Sequence, residues 1–236
     1  MFEAVLFDLD GTLLQIDMEI FLQHYFRKMA ELANMLGYGE GKGLVKQVWD
    51  STEVMIADKN PAVTNEKAFM LHFYQNWPYP PEEFNQFFDR YYSVCFPLLH
   101  KYCQPFPGIP EMMDYIMKKN IKVVIATNPV FPYAALQNRI EWAGLGHHQF
   151  ELVTSYELMH FCKPHTEYYE EIAEKIGVRP EKCLMVGNDT GEDLPAGRIG
   201  MKTFLVEDML IDKGSGDDPD WRGKIPDLID FIKKRI

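Results

Sequence analysis

Cysteine is scarce in this chain, with four residues in 236: Cys95, Cys103, Cys162 and Cys183. No two form a Cys-x-x-Cys pair, and none stands near histidine at zinc-finger spacing. That excludes a disulfide framework and a structural zinc site from expectation, and reduced, buried thiols in a cytoplasmic protein are expected instead. Basic residues are also in the minority, 24 Lys+Arg against 35 Asp+Glu, a net charge of −11. Duplex nucleic acid and anionic membranes are bound through clustered Lys and Arg, so neither is expected as a partner. An acidic protein that handles anions instead needs a metal cation. Long apolar runs are missing as well, none approaching the roughly 20 residues that span a bilayer. Met1 to Leu14 has no basic start, and Glu3, Asp8 and Asp10 interrupt its apolar residues, so it does not read as a signal peptide. There is no internal repeat and no low-complexity tract.

What is present is a chain able to form a core: 47% of residues are apolar and 25% charged, enough burial to offset the entropy of ordering. The length suits one core of ordinary size with room for a small second unit. Short apolar, β-branched runs recur at Ala4 to Phe7, Ile121 to Ala126, Leu152 to Thr154, Cys183 to Val186 and Thr203 to Val206. They read as buried parallel strands. Helical stretches follow at Pro110 to Lys119, Tyr133 to Ala143, Thr166 to Ile176 and Leu194 to Ile199, with glycine stops at Gly144, Gly177 and Gly200. This alternation predicts an α/β fold with a doubly wound parallel sheet.

The segment from Gln15 to Cys103 differs, with helical spacing throughout and no convincing strand. Ile20, Phe21, Tyr25, Met29, Leu32 and Leu36 recur at that spacing, and Pro81 opens a helix carrying Phe84, Phe87, Phe88 and Tyr91. An inserted all-α unit over 15–103 is expected, with the α/β core formed by 1–14 and 104–236. Gln104 to Gly108, with two prolines and a glycine, marks its exit. Gly37 to Gly43 and Gly214 to Asp220 read as surface loops. The stripe of Phe21, Tyr25, Met29, Phe69, Phe73, Phe87 and Phe88 reads as helix-packing core rather than a pocket. Arg27, Lys28, Lys42 and Lys46 read as solvated faces, His147-His148 as a solvated loop, and Lys233 to Arg235 as a basic last helical turn.

In an open parallel sheet, ligands bind beyond the carboxyl ends of the strands, and four such places are chemically loaded. Asp8-Leu9-Asp10-Gly11 puts two carboxylates two positions apart after the first strand. Such a pair repels and needs a proton or a cation, for which a hard Mg²⁺ with oxygen ligands is suited. One carboxylate can then serve as nucleophile and the other as acid and base. Thr127-Asn128 follows a second strand and offers a hydroxyl and an amide to phosphate oxygens. Lys163-Pro164 brings one positive charge ahead of a helix. Gly187-Asn188-Asp189-Thr190-Gly191-Glu192-Asp193 turns acidic after a further strand, where Asp189 and Asp193 could complete a metal site. Each alone has a bland reading as turn or helix cap. Together they supply nucleophile, metal ligands, phosphate donors and a counter-charge.

FDLDGTLL, then TN, then KP, then GNDTGED in that order resembles the haloacid dehalogenase superfamily of hydrolases, over about 1–14 and 104–206. The helical segment matches that family's cap in position and type. The resemblance implies Asp8 as the nucleophile that forms an aspartyl-phosphate, and Asp10 as the group that protonates the leaving oxygen and then activates water. It implies Thr127 as phosphate ligand, with Asn128 beside it, and Lys163 steadying both phosphate and Asp8. Mg²⁺ would be held by Asp8, the backbone carbonyl of Asp10 and the acidic turn. One departure is Asn188 where the family commonly has Gly-Asp; Asp189 is accordingly assigned as metal ligand, with Asp193 its water-mediated partner and Asn188 as a substitute. Asp10 favours phosphoryl transfer over carbon–halogen cleavage. The expected function is Mg²⁺-dependent hydrolysis of small phosphate monoesters in the cytoplasm. A mutase, a dehalogenase-type relative or a non-catalytic phosphate-binding protein are the alternatives.

Overall fold

The computed structural model describes residues 1–38, 41–214 and 216–236. Its centre is a six-stranded parallel sheet in the order β5-β4-β1-β6-β7-β8. The strands are β1 (Ala4–Phe7), β4 (Lys122–Ile125), β5 (Leu152–Val153), β6 (Cys183–Gly187), β7 (Lys202–Val206) and β8 (Trp221–Gly223). The five expected strands are therefore present, and β8 is an addition. Side chains alternate along β1. Val5 and Phe7 join the cluster that holds α5 (Ile109–Met117), α6 (Tyr133–Trp142) and α8 (Ile225–Arg235), while Ala4 and Leu6 join the one around α7 (Thr166–Ile176). Both faces are thus covered, which is why the strands read as continuous apolar runs.

After β1 the chain turns back on itself, and β2 (Leu14–Ile16) pairs antiparallel with β3 (Cys103–Pro105) in a two-stranded ribbon. Gln15, Ile16 and Cys103 therefore lie in strands, which corrects the expectation of an all-helical stretch there. The ribbon brings entry and exit of the intervening helices together. These are α1 (Met18–Leu36), α2 (Gly41–Ala57), α3 (Asn65–Gln75) and α4 (Pro81–Arg90), followed by a π-type turn at Tyr91–Cys95 and 3-10 turns over Phe96–Tyr102. Asp17 caps α1 by accepting from the Ile20 amide at 3.1 Å, and Pro81 opens α4. Leu194–Ile199 is a 3-10 segment rather than an α-helix.

The expected stripe holds at Phe21, Tyr25, Met29 and Leu32, but Ile20 and Leu36 are exposed. Gly41 and Gly43 belong to α2 rather than a loop. Gly41 is there for contact, since a Cβ on it would lie 2.6 Å from the Ala30 Cα of α1. Gly39, Glu40 and Ser215 of the two expected loops lie outside the described residues. His147 is exposed, whereas the His148 side chain is mostly covered, beside Asp114. No helix among the described residues is long and apolar enough to cross a membrane.

Candidate active site

Register brings the site together. Phe7 at the end of β1 pairs with Ile125 of β4 on one side and with Val186 of β6 on the other. Asp8, one residue on, and Thr127 and Asn188, two residues on, therefore leave the sheet at its carboxyl edge, where ligands of such sheets bind. Backbone bonds fix the edge: the Asp8 amide donates to the Val186 carbonyl at 2.8 Å, and the Ala126 amide to the Phe7 carbonyl at 2.7 Å.

Lys163 arrives from the loop before α7, and its ammonium is fully buried. It donates to Asp8 Oδ1 at 2.8 Å and to Asp193 Oδ1 at 2.7 Å. Burial alone would lower its affinity for the proton, but Asp193 and Asp8 hold the pKa well above its ordinary value, so it stays charged. Burial acts the opposite way on the carboxylates. It pushes Asp8 up to about 8 against the pull of Lys163, and it also raises Asp193 and Asp10. The loop that carries Lys163 is held by Asn128, whose Oδ1 accepts the Lys163 amide at 3.2 Å while its Nδ2 donates to Glu192 at 3.2 Å. Thr127 lines the cavity above Asp8, and its carbonyl is fixed by Thr154 at 2.7 Å and Tyr168 at 2.8 Å.

Asn188 and Asp189 both line the cavity but engage different partners. The Asn188 side chain is buried, and its Oδ1 accepts the Thr12 hydroxyl at 3.0 Å while its Nδ2 donates to the Met209 carbonyl at 2.6 Å. The same Thr12 hydroxyl lies 3.5 Å from Asp8 Oδ2, so the Asn188 oxygen and the free oxygen of Asp8 share one neighbour. Gly11 makes this approach feasible: its φ is +82°, and a Cβ there would lie 2.3 Å from Asn188 Nδ2. Asp189, by contrast, uses Oδ1 to accept the amides of Gly191 at 2.8 Å and Glu192 at 3.0 Å, and Oδ2 to pair with Lys213 at 2.7 Å. Asp193 Oδ2 accepts the Asp189 amide at 2.9 Å.

One participant escaped the sequence reading. Arg139 of α6 is fully buried, its Nη1 pairs with Asp10 Oδ2, and its guanidinium lies 4.3 Å over the Phe131 ring. Among the described residues its Nε and Nη2 have no hydrogen-bond partner, nor does Asp10 Oδ1. The available signal was helical spacing: Arg139 stands on the apolar stripe of Ala135, Leu136 and Ile140, where an isolated charge needs a buried partner.

A cavity of about 360 Å³ opens over these groups, lined by Asp8, Asp10, Thr127, Asn188 and Asp193 below and by α1 to α4 above. Tyr25, Phe69 and Phe88, expected to be packing residues alone, also form its wall. A nucleophilic carboxylate backed by a fixed cation, with a second carboxylate beside it at the floor of such a space, can carry group transfer.

The family model for a haloacid dehalogenase-like hydrolase matches residues 2–199. The chain belongs to the haloacid dehalogenase-like hydrolases. The hydrolase is 30% identical over 122 residues to the glyceraldehyde 3-phosphate phosphatase of Methanothermobacter thermautotrophicus, a match covering 51% of this chain and 50% of that protein. It thus spans about half the length of that relative. It is 28% identical to the phosphoglycolate phosphatase of Aquifex aeolicus, over 86% of this chain and 84% of the other. In fold it is similar to the magnesium-bound HAD-hydrolase YfnB of Bacillus subtilis, with a TM-score of 0.58, 18% identity and coverage of 98% and 99%.

Proposed function

We propose that this hydrolase cleaves small phosphate monoesters with the help of Mg²⁺, carrying the phosphoryl group transiently on Asp8. The observation that carries the reading is the Lys163 bridge between Asp8 and Asp193, which holds a carboxylate oxygen at the cavity floor beside Thr127. The phosphatase names of the two relatives point the same way.

The residues fit a hard divalent cation. Asp8, Asp10 and Asp193 are three carboxylates facing two buried cations, Lys163 and Arg139, and among the described residues Asp8 Oδ2 has only the long 3.5 Å contact from Thr12. The donor set on offer is all oxygen. Mg²⁺ would be held by Asp8, the backbone carbonyl of Asp10 and the amide oxygen of Asn188. We favour Asn188 over Asp189 because the Asp189 carboxylate is engaged by two turn amides and by Lys213. When bound, the ion offsets the charge that gathers on the phosphoryl oxygens.

In the first step an Asp8 oxygen attacks phosphorus, and the bond from phosphorus to the ester oxygen breaks. Asp10 gives its proton to that oxygen, so the product leaves as an alcohol. In the second step water attacks the aspartyl-phosphate, Asp10 takes the water proton, and Asp8 is released with inorganic phosphate. Lys163 and the Thr127 hydroxyl hold phosphoryl oxygens through both steps. The burial that raises the Asp10 pKa suits a group that alternates between acid and base, and Arg139 fixes its direction. Residues 15–103 act as a cap over the core formed by 1–14 and 104–236, keeping bulk solvent from the reacting groups and leaving the acyl-phosphate to the water that Asp10 activates.

A panel of phosphate monoesters, assayed with and without Mg²⁺, tests the proposal. Mg²⁺-dependent release of phosphate that Asp8→Asn abolishes supports it. Binding of phosphate ligands with no turnover on any ester would instead support a non-catalytic binding protein.

A further inference from the structure

The space above Asp8 has an uneven character that bears on what it accepts. Beyond the reacting groups its walls are mainly apolar, with Leu22, Phe26, Trp49, Ile56, Phe69 and Met70 contributed by α1 to α3. Trp49 is 44% exposed although its ring packs tilted against Phe26 at 5.3 Å, so apolar surface is left uncovered beside the cavity. Several of the polar groups contributed by the helices above are already engaged, although the Tyr156 hydroxyl also lines the space. The Thr52 hydroxyl donates to the Val48 carbonyl at 2.8 Å, and the Tyr25 and Tyr92 hydroxyls bond each other at 2.7 Å. Among the described lining residues, Lys213 is the one Lys or Arg, and it is already paired with Asp189 at 2.7 Å and Glu192 at 2.8 Å.

A second anionic group on the substrate would therefore meet no free cation, and a string of hydroxyls would lose water without finding partners. An apolar group loses nothing on entering and gains by burial. Resting on the phosphatase reading, we infer that the alcohol side of the substrate is an uncharged alkyl or aryl group seated among Leu22, Phe26, Trp49 and Met70, not a small carboxylated or multiply phosphorylated metabolite. A volume of about 360 Å³, shared with the phosphoryl group, suits a ligand of modest size.

The n-alkyl phosphates from ethyl to octyl share nearly the same leaving-group basicity, so differences among them report the cavity and not the chemistry. The expected kcat/KM rises about fourfold per methylene until the cavity is filled, the value that one buried CH₂ confers. Trp49→Ala flattens the rise, and ω-carboxyalkyl phosphates of matching length fall at least about tenfold below their uncharged counterparts. Calorimetric binding of n-alkylphosphonates to the Asp8→Asn protein in Mg²⁺ reads the same slope without turnover. No hydrolysis combined with a rising phosphonate affinity would remove the phosphatase reading and leave the apolar seat standing. A flat series, a preference for the carboxylated esters or no phosphonate binding would overturn the inference.

Discussion

Replacing Arg139 by Met removes the buried guanidinium while keeping most of the stem's volume, and the structure sets both sides of the balance. Breaking a buried ion pair by deleting one partner costs about 3–5 kcal/mol, here because Asp10 is left without its cation. Against this, the variant also removes Nε and Nη2, two buried donors with no partner among the described residues, whose combined relief is about 2 kcal/mol. The net loss is about 2 kcal/mol, which for a chain of this size lowers Tm by about 4–8 °C. Thermal unfolding followed by circular dichroism measures it. The pair itself is isolated by the double variant Arg139→Met/Asp10→Asn, which takes out both charges and should recover most of the lost Tm. In activity, Arg139→Met alone should resemble a mild Asp10 defect, slowing esters with basic leaving groups more than activated ones. An unchanged Tm in the single variant, or a double variant no more stable than the single, would refute the coupling of Arg139 to Asp10.

Asp10→Asn keeps the nucleophile but loses proton transfer to the leaving group, so kcat/KM should fall by about 10²–10⁴-fold for alkyl phosphates and much less for p-nitrophenyl phosphate; a uniform effect on kcat/KM would remove Asp10 as the acid of the first step. Asn188→Ala should raise the Mg²⁺ concentration needed for half-maximal activity, whereas Asp189→Asn should cost only the roughly 1 kcal/mol of a turn cap. A Mg²⁺ titration of both variants giving the reverse order would return the ligand role to Asp189. Lys163→Met strands Asp8 and Asp193 without their shared cation, so stability should drop by about 3–5 kcal/mol as well as activity; chemical denaturation showing wild-type stability would contradict the bridging role.

Much of the fold was legible because buried parallel strands are continuous β-branched runs: β1 was readable residue for residue, and α7 came with its Gly177 stop. The ribbon of β2 with β3 and the edge strand β8 are three residues each, too short for any period to show. Ile20 was misplaced because it sits one position off a genuine stripe, beside Phe21, and only packing decides between neighbours. Within the site, Asp8, Asp10, Thr127 and Lys163 were visible through strand ends and motif order. The different partners of Asn188 and Asp189 include Thr12, Met209 and Lys213, contacts between distant segments that no local pattern encodes. Arg139 lies 129 residues from its partner Asp10 and was hidden for the same reason.

The central claim is that Asp8 carries the phosphoryl group, and chemical trapping tests it most directly. The enzyme is mixed with Mg²⁺ and a turned-over ester, quenched in acid within the first turnover and reduced with borohydride, which converts an acyl-phosphate at aspartate to homoserine. Peptide mass spectrometry should then find homoserine at position 8, absent without substrate and enriched in Asp10→Asn, where hydrolysis of the intermediate is slowed. Active enzyme that yields unmodified Asp8 under these conditions, or label at another residue, would contradict the account.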